Sequence, residues 1–179
     1  MRVLSSLLLV LLVVGLAAGT ASAQDEKFIN LALFNPVQIY NETTDVKGIR
    51  LTAFWSKNAN VTGFDWGWIA LGQVTGDFKG VQWNPINMVG GHSTGWQAGL
   101  VNYTQGGYLG LQTAAVNYDM GAGEGVQFGF VNIGKETSGL QLGFFNMTET
   151  MTSGIQIGII NVIKSKEKLP ILPLVNWSF

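Results

Sequence analysis

Apolar and polar residues alternate along an eight-residue phrase that recurs ten times between residues 28 and 179. The best copies read Gly-x-Gln-x-Gly-x-x-Asn, and most successive copies begin 15 residues apart. The copies begin at Phe28, Gly48, Gly63, Gly80, Gly95, Gly110, Gly125, Gly139, Gly154 and Leu169. Alternation with period two is typical of a β-strand with unlike faces, because successive side chains leave a pleated strand on opposite sides. The repeat therefore predicts an all-β fold with one strand per phrase.

The two faces of each predicted strand differ in chemistry. Positions two, four and six are apolar in nearly every copy, as in Val126, Phe128 and Phe130. The fifth position is small or polar in most copies, and the eighth is Asn except for Trp55 and Ala70. The third position is polar in nine copies and reads Asn30, Arg50, Asp65, Gln82, Gln97, Gln112, Gln127, Gln141, Gln156 and Ile171. Each strand is therefore predicted to carry one apolar and one polar face.

Two architectures accommodate ten such strands. In an antiparallel up-and-down β-barrel, the apolar slots face lipid, the Gln and Gly columns face a polar interior, and closure leaves no unpaired edge. In a β-solenoid of about 15 residues per coil, the Gln, Gly and Asn columns stack as ladders. Connectors such as residues 134–138 offer little apolar cover for the return half of a coil, which favours the barrel. Near-identical repeats favour the parallel stack instead. We take the ten-stranded barrel as the prediction and the solenoid as the alternative.

The C-terminus supports a membrane barrel. Ile171, Pro173, Val175, Trp177 and Phe179 alternate with other residues and end on an aromatic side chain. This ending resembles the closing strand by which bacterial outer-membrane barrels are recognised for assembly. The competing interpretation is that Phe179 covers the end of a soluble β-array.

The N-terminus has the features of a secretory signal peptide. Met1 and Arg2 give a positive start, residues 7–14 are apolar without interruption, and residues 21–23 read Ala-Ser-Ala, a small-residue cleavage signal. We therefore predict a cleaved signal peptide at residues 1–23 and a single β-repeat domain at residues 24–179. The chain contains no cysteine, which excludes disulfides and a lipid-attachment thiol.

Composition narrows the range of partners. The formal net charge is −1, and charged residues make up 12% of the chain. No cluster of basic residues is present to neutralise a phosphate backbone, so we expect no nucleic-acid partner.

Candidate catalytic and metal-binding residues are few. His92 is the single histidine and adjoins Ser93, a pairing that suggests a nucleophile and its base in a lipid hydrolase. Adjacent residues on an extended chain point apart, however, and no acid is evidently placed beside them. The acidic residues that we considered as metal ligands are dispersed, namely Asp25, Glu26, Asp45 and Asp65. We therefore predict no catalytic, cofactor-binding or metal-binding residues.

The repeats resemble a bacterial surface-repeat family first described from leptospires, whose members carry tandem Gly-x-Gln-x-Gly-x-x-Asn phrases. The match is carried by residues 125–132, 139–146 and 154–161, and residues 169–176 are similar to its C-terminal form. The resemblance implies a surface or outer-membrane location and no particular activity. Some members are described as lipoproteins, an attachment that this cysteine-free chain lacks.

The sequence thus predicts an exported protein of the bacterial outer membrane or cell surface with a structural, interaction or small-pore role. We expect it not to be an enzyme and to need no cofactor. The expected partners are outer-membrane lipid and the barrel-assembly machinery. One alternative is a secreted β-solenoid that acts as a surface or adhesive array. A further alternative is a membrane lipid hydrolase that uses His92 and Ser93.

Overall fold

The computed structural model describes residues 27–179, and this segment is built from fourteen β-strands. The predicted signal peptide at residues 1–23 lies outside the described residues, as do Asp25 and Glu26. The strands are β1 (Lys27–Phe34), β2 (Val37–Gln38), β3 (Val46–Asn58), β4 (Val61–Gly67), β5 (Leu71–Val74), β6 (Phe78–Trp83), β7 (Ile86–Val89), β8 (His92–Ala98), β9 (Val101–Thr104), β10 (Gly107–Thr113), β11 (Val116–Phe128), β12 (Val131–Leu142), β13 (Phe145–Ile163) and β14 (Ile171–Ser178).

The repeats other than the last form the coils of a β-solenoid. The all-β prediction is confirmed, and the architecture is the alternative one, with about nine turns of roughly 15 residues each. Equivalent residues of successive repeats lie opposite each other in parallel strands, so Gly95 pairs with Gly110 and Gly110 pairs with Gly125. The predicted antiparallel barrel is therefore wrong.

The barrel prediction is wrong because it rests on the apolar face of each strand pointing into the core of a solenoid. The prediction assumes that a solenoid shields its apolar face with the connectors, which are too polar for that role. In the structure the polar face points inward instead. Gln127 and Asn132 are fully buried, whereas Phe128 and Phe130 are each 59% exposed. The connectors therefore enclose amides rather than apolar side chains.

A coil has three sides, here defined on the coil that begins at Gly95. The first side is residues 95–98, which carry the Gly-x-Gln phrase, and the second side is β9 (Val101–Thr104). The third side is the connector, residues 105–109. A corner at residues 99–100 joins the first side to the second.

Glycine at the start of each first side lets the coils stack closely. Gly110 and Gly125 have φ angles of 129° and 128°, a region that residues with a side chain rarely adopt. A Cβ on Gly125 would also collide with the backbone carbonyl of Gly110 in the coil before. The repeated glycine is thus required by both backbone conformation and space.

The two ends of the stack depart from the repeat. β14 runs antiparallel to β13, with Asn176 opposite Gln156 and Ile171 opposite Val162, so the tenth phrase is not a tenth coil. β14 lies at the end of the strand order, next to β13, whereas β1 pairs with β2 and β3. The prediction that the last strand closes a barrel is therefore wrong, and Phe179 is 85% exposed.

The early repeats are aligned differently from the sequence prediction. Asn30 and Arg50 share the third-position column, as predicted. The Asn column, however, is continued by Ser56 and Gly72, which lie opposite each other and in line with Asn87. Trp55 and Ala70 are not in that column, because the corners of these early coils are longer.

Candidate functional site

The Gln column forms a hydrogen-bonded ladder through the buried centre of the solenoid. Each Gln Nε2 donates to the Oε1 of the Gln one coil nearer the N-terminus, at 2.7 to 3.0 Å. The ladder runs from Gln156 to Gln82, and every member is at most 1% exposed. Identical amides one coil apart satisfy each other because parallel strands repeat at about 4.8 Å. This pairing explains why the column is Gln rather than any polar residue.

The Asn column forms a second ladder of opposite direction. Asn87 Nδ2 donates to Asn102 Oδ1 at 2.8 Å, and the same bond repeats along the column to Asn161 at 2.8 to 2.9 Å. Here the amides donate toward the C-terminus, whereas the Gln amides donate toward the N-terminus. The two rows of amide dipoles therefore oppose one another across the core.

A buried ion pair ends the Gln ladder on its N-terminal side. Arg50 Nη2 and Nε donate to the two Asp65 oxygens at 2.6 and 2.8 Å, and both side chains are fully buried. Asp65 Oδ2 also accepts from Gln82 Nε2 and Asn84 Nδ2, each at 3.0 Å. A carboxylate only accepts hydrogen bonds, so it fixes the amide of Gln82 with its NH2 group toward Asp65. Each later Gln must then donate in the same direction.

Sequence analysis missed the pair of Arg50 and Asp65. The signal was present, because opposite charges occupy the same column of neighbouring repeats. In a parallel stack such residues are adjacent, whereas the predicted barrel placed them in antiparallel strands.

The exterior of the first and second sides is apolar. The corner between them is a groove of about 1430 Å³ whose floor includes Gly99, Gly129 and Gly143. Tryptophan flanks the groove in the early coils, at Trp66, Trp68, Trp83 and Trp96, and phenylalanine and aliphatic residues flank it in the later ones, at Leu100, Phe128, Phe130, Leu142, Phe144, Ile157 and Ile159. The groove crosses about seven coils, a length of roughly 34 Å at the strand spacing.

The third side carries most of the charged residues of the later coils. Glu124, Lys135, Glu136 and Glu149 are all exposed there. The solenoid is thus amphipathic around its circumference, with two apolar sides and one polar side.

The candidate hydrolase residues lie on the third side but do not meet. His92 is exposed and Ser93 is 3% exposed, because the two side chains leave the strand on opposite sides. The structure does place an acid that the sequence did not reveal, since His92 Nδ1 lies 3.8 Å from Asp77 Oδ1. His92 and Asp77 form an exposed surface pair, and Ser93 faces the core.

A second carboxylate is buried behind the third side. Asp119 is 1% exposed, and neither of its oxygens has a hydrogen-bond partner among the described residues. Burial raises the pKa of Asp119 to about 7, and the backbone amide of Gly121 opposes this shift without reaching hydrogen-bonding geometry. The hydroxyl of Tyr108 is also buried without a partner. Burial, and then the charge of Asp119, raises the pKa of Tyr108.

Apart from the unpartnered Tyr108 hydroxyl, the side chains next to Asp119 have no donor to spare. Thr104, one coil before, is bonded to Gln97 and Gln112. Gly134, one coil after, has no side chain. Thr137 and Thr148 bond each other at 3.0 Å. The absence of partners therefore follows from the residues that occupy the adjacent coils.

Neither a metal cluster nor a membrane-spanning helix is found in the described part of the chain. No three His, Cys, Asp or Glu side chains of residues 27–179 are grouped so that they could hold a metal ion. None of these residues forms a helix of the length and hydropathy needed to cross a membrane.

Comparison with known proteins gives no relative. No family model matches the chain, and neither a curated protein nor a solved structure is similar to it.

Proposed function

We propose that this protein is an exported β-solenoid of the bacterial outer membrane or cell surface, which binds lipid through its two apolar sides and has a structural or interaction role. It is proposed not to be an enzyme. The observation that carries the proposal is the distribution of side chains, with polar groups in the core and apolar groups on the surface. The Gln and Asn amides of the solenoid are inside and most of its large apolar side chains are outside, although the early coils enclose a small apolar cluster of Val46, Val61, Val74, Phe78 and Val89.

The size of the apolar exterior supports a lipid partner. Soluble monomers rarely expose contiguous apolar patches larger than a few hundred Å². Here Phe128, Phe130 and Phe144 are each more than half exposed, and Ile159 is 62% exposed. Together with the groove they extend the apolar surface over successive coils. Such a surface requires contact with lipid or with another apolar surface that removes it from water.

The backbone is suited to contact with lipid. Lipid cannot hydrogen-bond exposed backbone groups, so strands that face it must be paired on both sides. Strands of the central coils are paired with the coils before and after, as β12 is with β11 and β13. The polar third side excludes full immersion. The arrangement favours a solenoid that lies in the membrane interface with its corner in the apolar region, as an amphipathic helix does.

The distribution of aromatic residues agrees with this orientation. Tryptophan favours the membrane interface because one part of its ring system is apolar and its N–H is polar. Trp68 and Trp83 are 79% and 53% exposed beside the corner groove. They are placed to anchor the early coils at the interface.

Two parts of the sequence prediction are not carried into this proposal. The barrel-assembly machinery was expected as a partner because β14 was predicted to close a barrel, and β14 pairs with β13 instead. The small-pore role required an open lumen, whereas the core of the described coils is filled by the Gln and Asn ladders.

Flotation with vesicles of phosphatidylethanolamine and phosphatidylglycerol tests the proposal. The variants Phe130→Glu and Phe144→Glu place a charge on the corner, where the two rings lie 5.3 Å apart. A carboxylate costs about 2.5 to 3.5 kcal/mol at the centre of a bilayer and less toward the interface, so each variant should lower vesicle binding about tenfold. Thr150→Glu adds the same charge on the third side, where Thr150 is exposed, and should leave binding unchanged.

Two outcomes would overturn the lipid proposal. One is a parent protein that does not float with vesicles. The other is equal loss of binding in Phe144→Glu and Thr150→Glu. A parent that remains in the aqueous fraction as a large assembly would favour the secreted array, because copies of the solenoid would then cover the apolar sides of one another.

A further inference from the structure

The corner groove has a depression at its centre, where two successive coils lack large side chains. On the first side, Ala98 lies opposite Trp83 in the coil before and opposite Thr113 in the coil after. Thr113 in turn lies opposite Phe128. Trp83 and Phe128 are 53% and 59% exposed, whereas Ala98 is 8% exposed. The two aromatic rings therefore stand as walls on either side of a floor of small residues.

The other edge of the corner repeats this arrangement. Leu100, Ala115 and Phe130 occupy the same position of three successive repeats, and all three line the groove. Leu100 and Phe130 are more than half exposed, whereas Ala115 between them is half-buried. We call the space above Ala98, Thr113 and Ala115 the central depression.

The lining of the central depression asks no hydrogen bond of a ligand. No charged side chain is among the described residues that line the groove. The Thr113 hydroxyl accepts from Trp96 Nε1 at 2.9 Å and donates to the carbonyl of Gln97 at 3.4 Å. On the floor, the N–H groups of Gly99 and Ala114 donate to carbonyls of the next coil. A polar ligand would lose its hydration here without compensation, so the lining fits a hydrocarbon.

The length of the central depression fits one lipid chain. The coils of Trp83 and Phe128 are three strand spacings apart, which is about 14 Å. The hydrocarbon core of a bilayer is about 30 Å thick, so the chains of one leaflet span about 15 Å. An acyl chain of a membrane lipid therefore matches the distance between the two walls.

We propose that the central depression holds a single acyl chain of a membrane lipid. This inference rests on the proposed lipid binding of the corner and names the part of the lipid that the corner retains. The chain lies along the corner between Trp83 and Phe128. Its headgroup stays outside, because the lining offers no cation to pair with a phosphate or a carboxylate.

Quenching of tryptophan fluorescence by a brominated acyl chain tests this inference, because Trp83 and Trp96 line the groove. The full chain is purified in digitonin, a detergent without an acyl chain, and titrated with dodecanoate that carries bromine on its terminal carbon. We expect saturable quenching. Unbrominated dodecanoate and dodecanoyl lysophosphatidylethanolamine should displace the probe equally well, since the chain alone is bound. Displacement by the free acid only would show that the carboxylate is recognised and would contradict the inference.

Two variants fill the central depression with side chains that the repeat already carries nearby. Ala98→Leu introduces the residue found at the equivalent Leu142, and Ala115→Phe introduces the one found at Phe130. Displacing about two CH2 groups of the bound chain should weaken probe binding about tenfold in each variant. Both substitutions add apolar surface, so flotation with vesicles should not fall. A corner that binds lipid only as a flat apolar face would bind the probe at least as tightly after either change.

Ala53→Phe is the matched control, because Ala53 is exposed and does not line the corner groove. It adds the same apolar bulk and should bind the probe as the parent does. The inference is overturned if the parent shows no saturable quenching, or if Ala98→Leu and Ala115→Phe bind as tightly as the parent. It is equally overturned if Ala53→Phe loses as much affinity as they do.

Flotation of the parent separates this inference from the proposed membrane binding. Flotation without saturable quenching overturns the acyl-chain site alone. Saturable quenching without flotation supports the acyl-chain site and contradicts the membrane-bound orientation.

Discussion

Asp65 and Asp119 are both buried in the solenoid, and the surrounding coils treat them in opposite ways. Asp65 lies in the Gln column and receives hydrogen bonds from Arg50, Gln82 and Asn84. Asp119 lies at the junction of the second and third sides, between Thr104 and Gly134, without a partner among the described residues. Burial alone therefore does not define the role of a carboxylate in this core.

The position of a buried charge within the repeat determines its consequence. In the Gln column Asp65 has the Arg50 guanidinium on one side and the amide of Gln82 on the other, and because Gln82 turns its NH2 group toward the carboxylate, Asp65 orients the whole ladder. At the junction of the second and third sides, few side chains can donate a hydrogen bond. The equivalent residues of successive coils there are Val74, Val89, Thr104, Asp119 and Gly134. Asn84 and Gln156 each leave one buried oxygen without a partner but keep their NH2 groups bonded, whereas both oxygens of Asp119 are unpartnered, so the cost in stability is largest at Asp119.

Removal of the partner of Asp65 should have the largest effect. Arg50→Met leaves a buried carboxylate without its charge partner, and such losses cost about 3 to 5 kcal/mol of unfolding free energy. Denaturant unfolding of the detergent-solubilised protein measures this loss. The double variant Arg50→Met/Asp65→Leu removes both charges and should recover a large part of it. A single variant as stable as the parent would show that the amides of Gln82 and Asn84 compensate Asp65 by themselves.

Removal of the charge of Asp119 should have the opposite sign. The pKa of Asp119 is about 7 in the folded chain, against 3.8 as the reference value. Between these values the folded state holds a proton that the unfolded state has lost. The contribution of the protonated Asp119 side chain to the free energy of unfolding is therefore complete below about pH 4 and is lost as the pH rises through 7. At pH 8 the ionised group costs a few kcal/mol, at about 1.4 kcal/mol per pKa unit.

Asp119→Asn should therefore be more stable than the parent at pH 8, and the difference should vanish near pH 4. Unfolding is measured across this range with EDTA present, so that trace divalent cations do not contribute. Tyr108 does not titrate in this window, since its pKa is raised further above it. Glu149→Gln, which removes an exposed carboxylate of the third side, is the control and should show no such pH-dependent gain. An Asp119→Asn variant that is less stable than the parent at pH 8 would mean that the carboxylate is compensated in solution.

The strands and the chemistry of their two faces were predictable from the sequence, but the inward face was not. Period-two alternation shows that Gln127 and Phe128 lie on opposite faces, and it is silent on which face is enclosed. That choice depends on strand direction, a non-local property. Parallel stacking brings Gln127 beside Gln112 and Gln141, and only then can the amides replace water for one another. The same non-local pairing explains why the partners of Asp65 and the isolation of Asp119 became visible only in the structure.

Removal of the two hydroxyl groups near Asp119 should give the smallest effects and sharpen the comparison further. The Tyr108 hydroxyl has no hydrogen-bond partner in the described chain, so Tyr108→Phe should change the unfolding free energy by less than about 1 kcal/mol, with EDTA present. The Thr104 hydroxyl bonds Gln97 and Gln112 at 3.2 and 3.1 Å. Thr104→Val leaves those amides short of a partner and should cost about 1 to 3 kcal/mol. Denaturant unfolding of both variants beside the parent measures the difference. A Tyr108→Phe loss equal to that of Thr104→Val would show that the phenol is hydrogen-bonded in solution. The difference between the regions with and without hydrogen-bond partners in this core would then be limited to the two carboxylates.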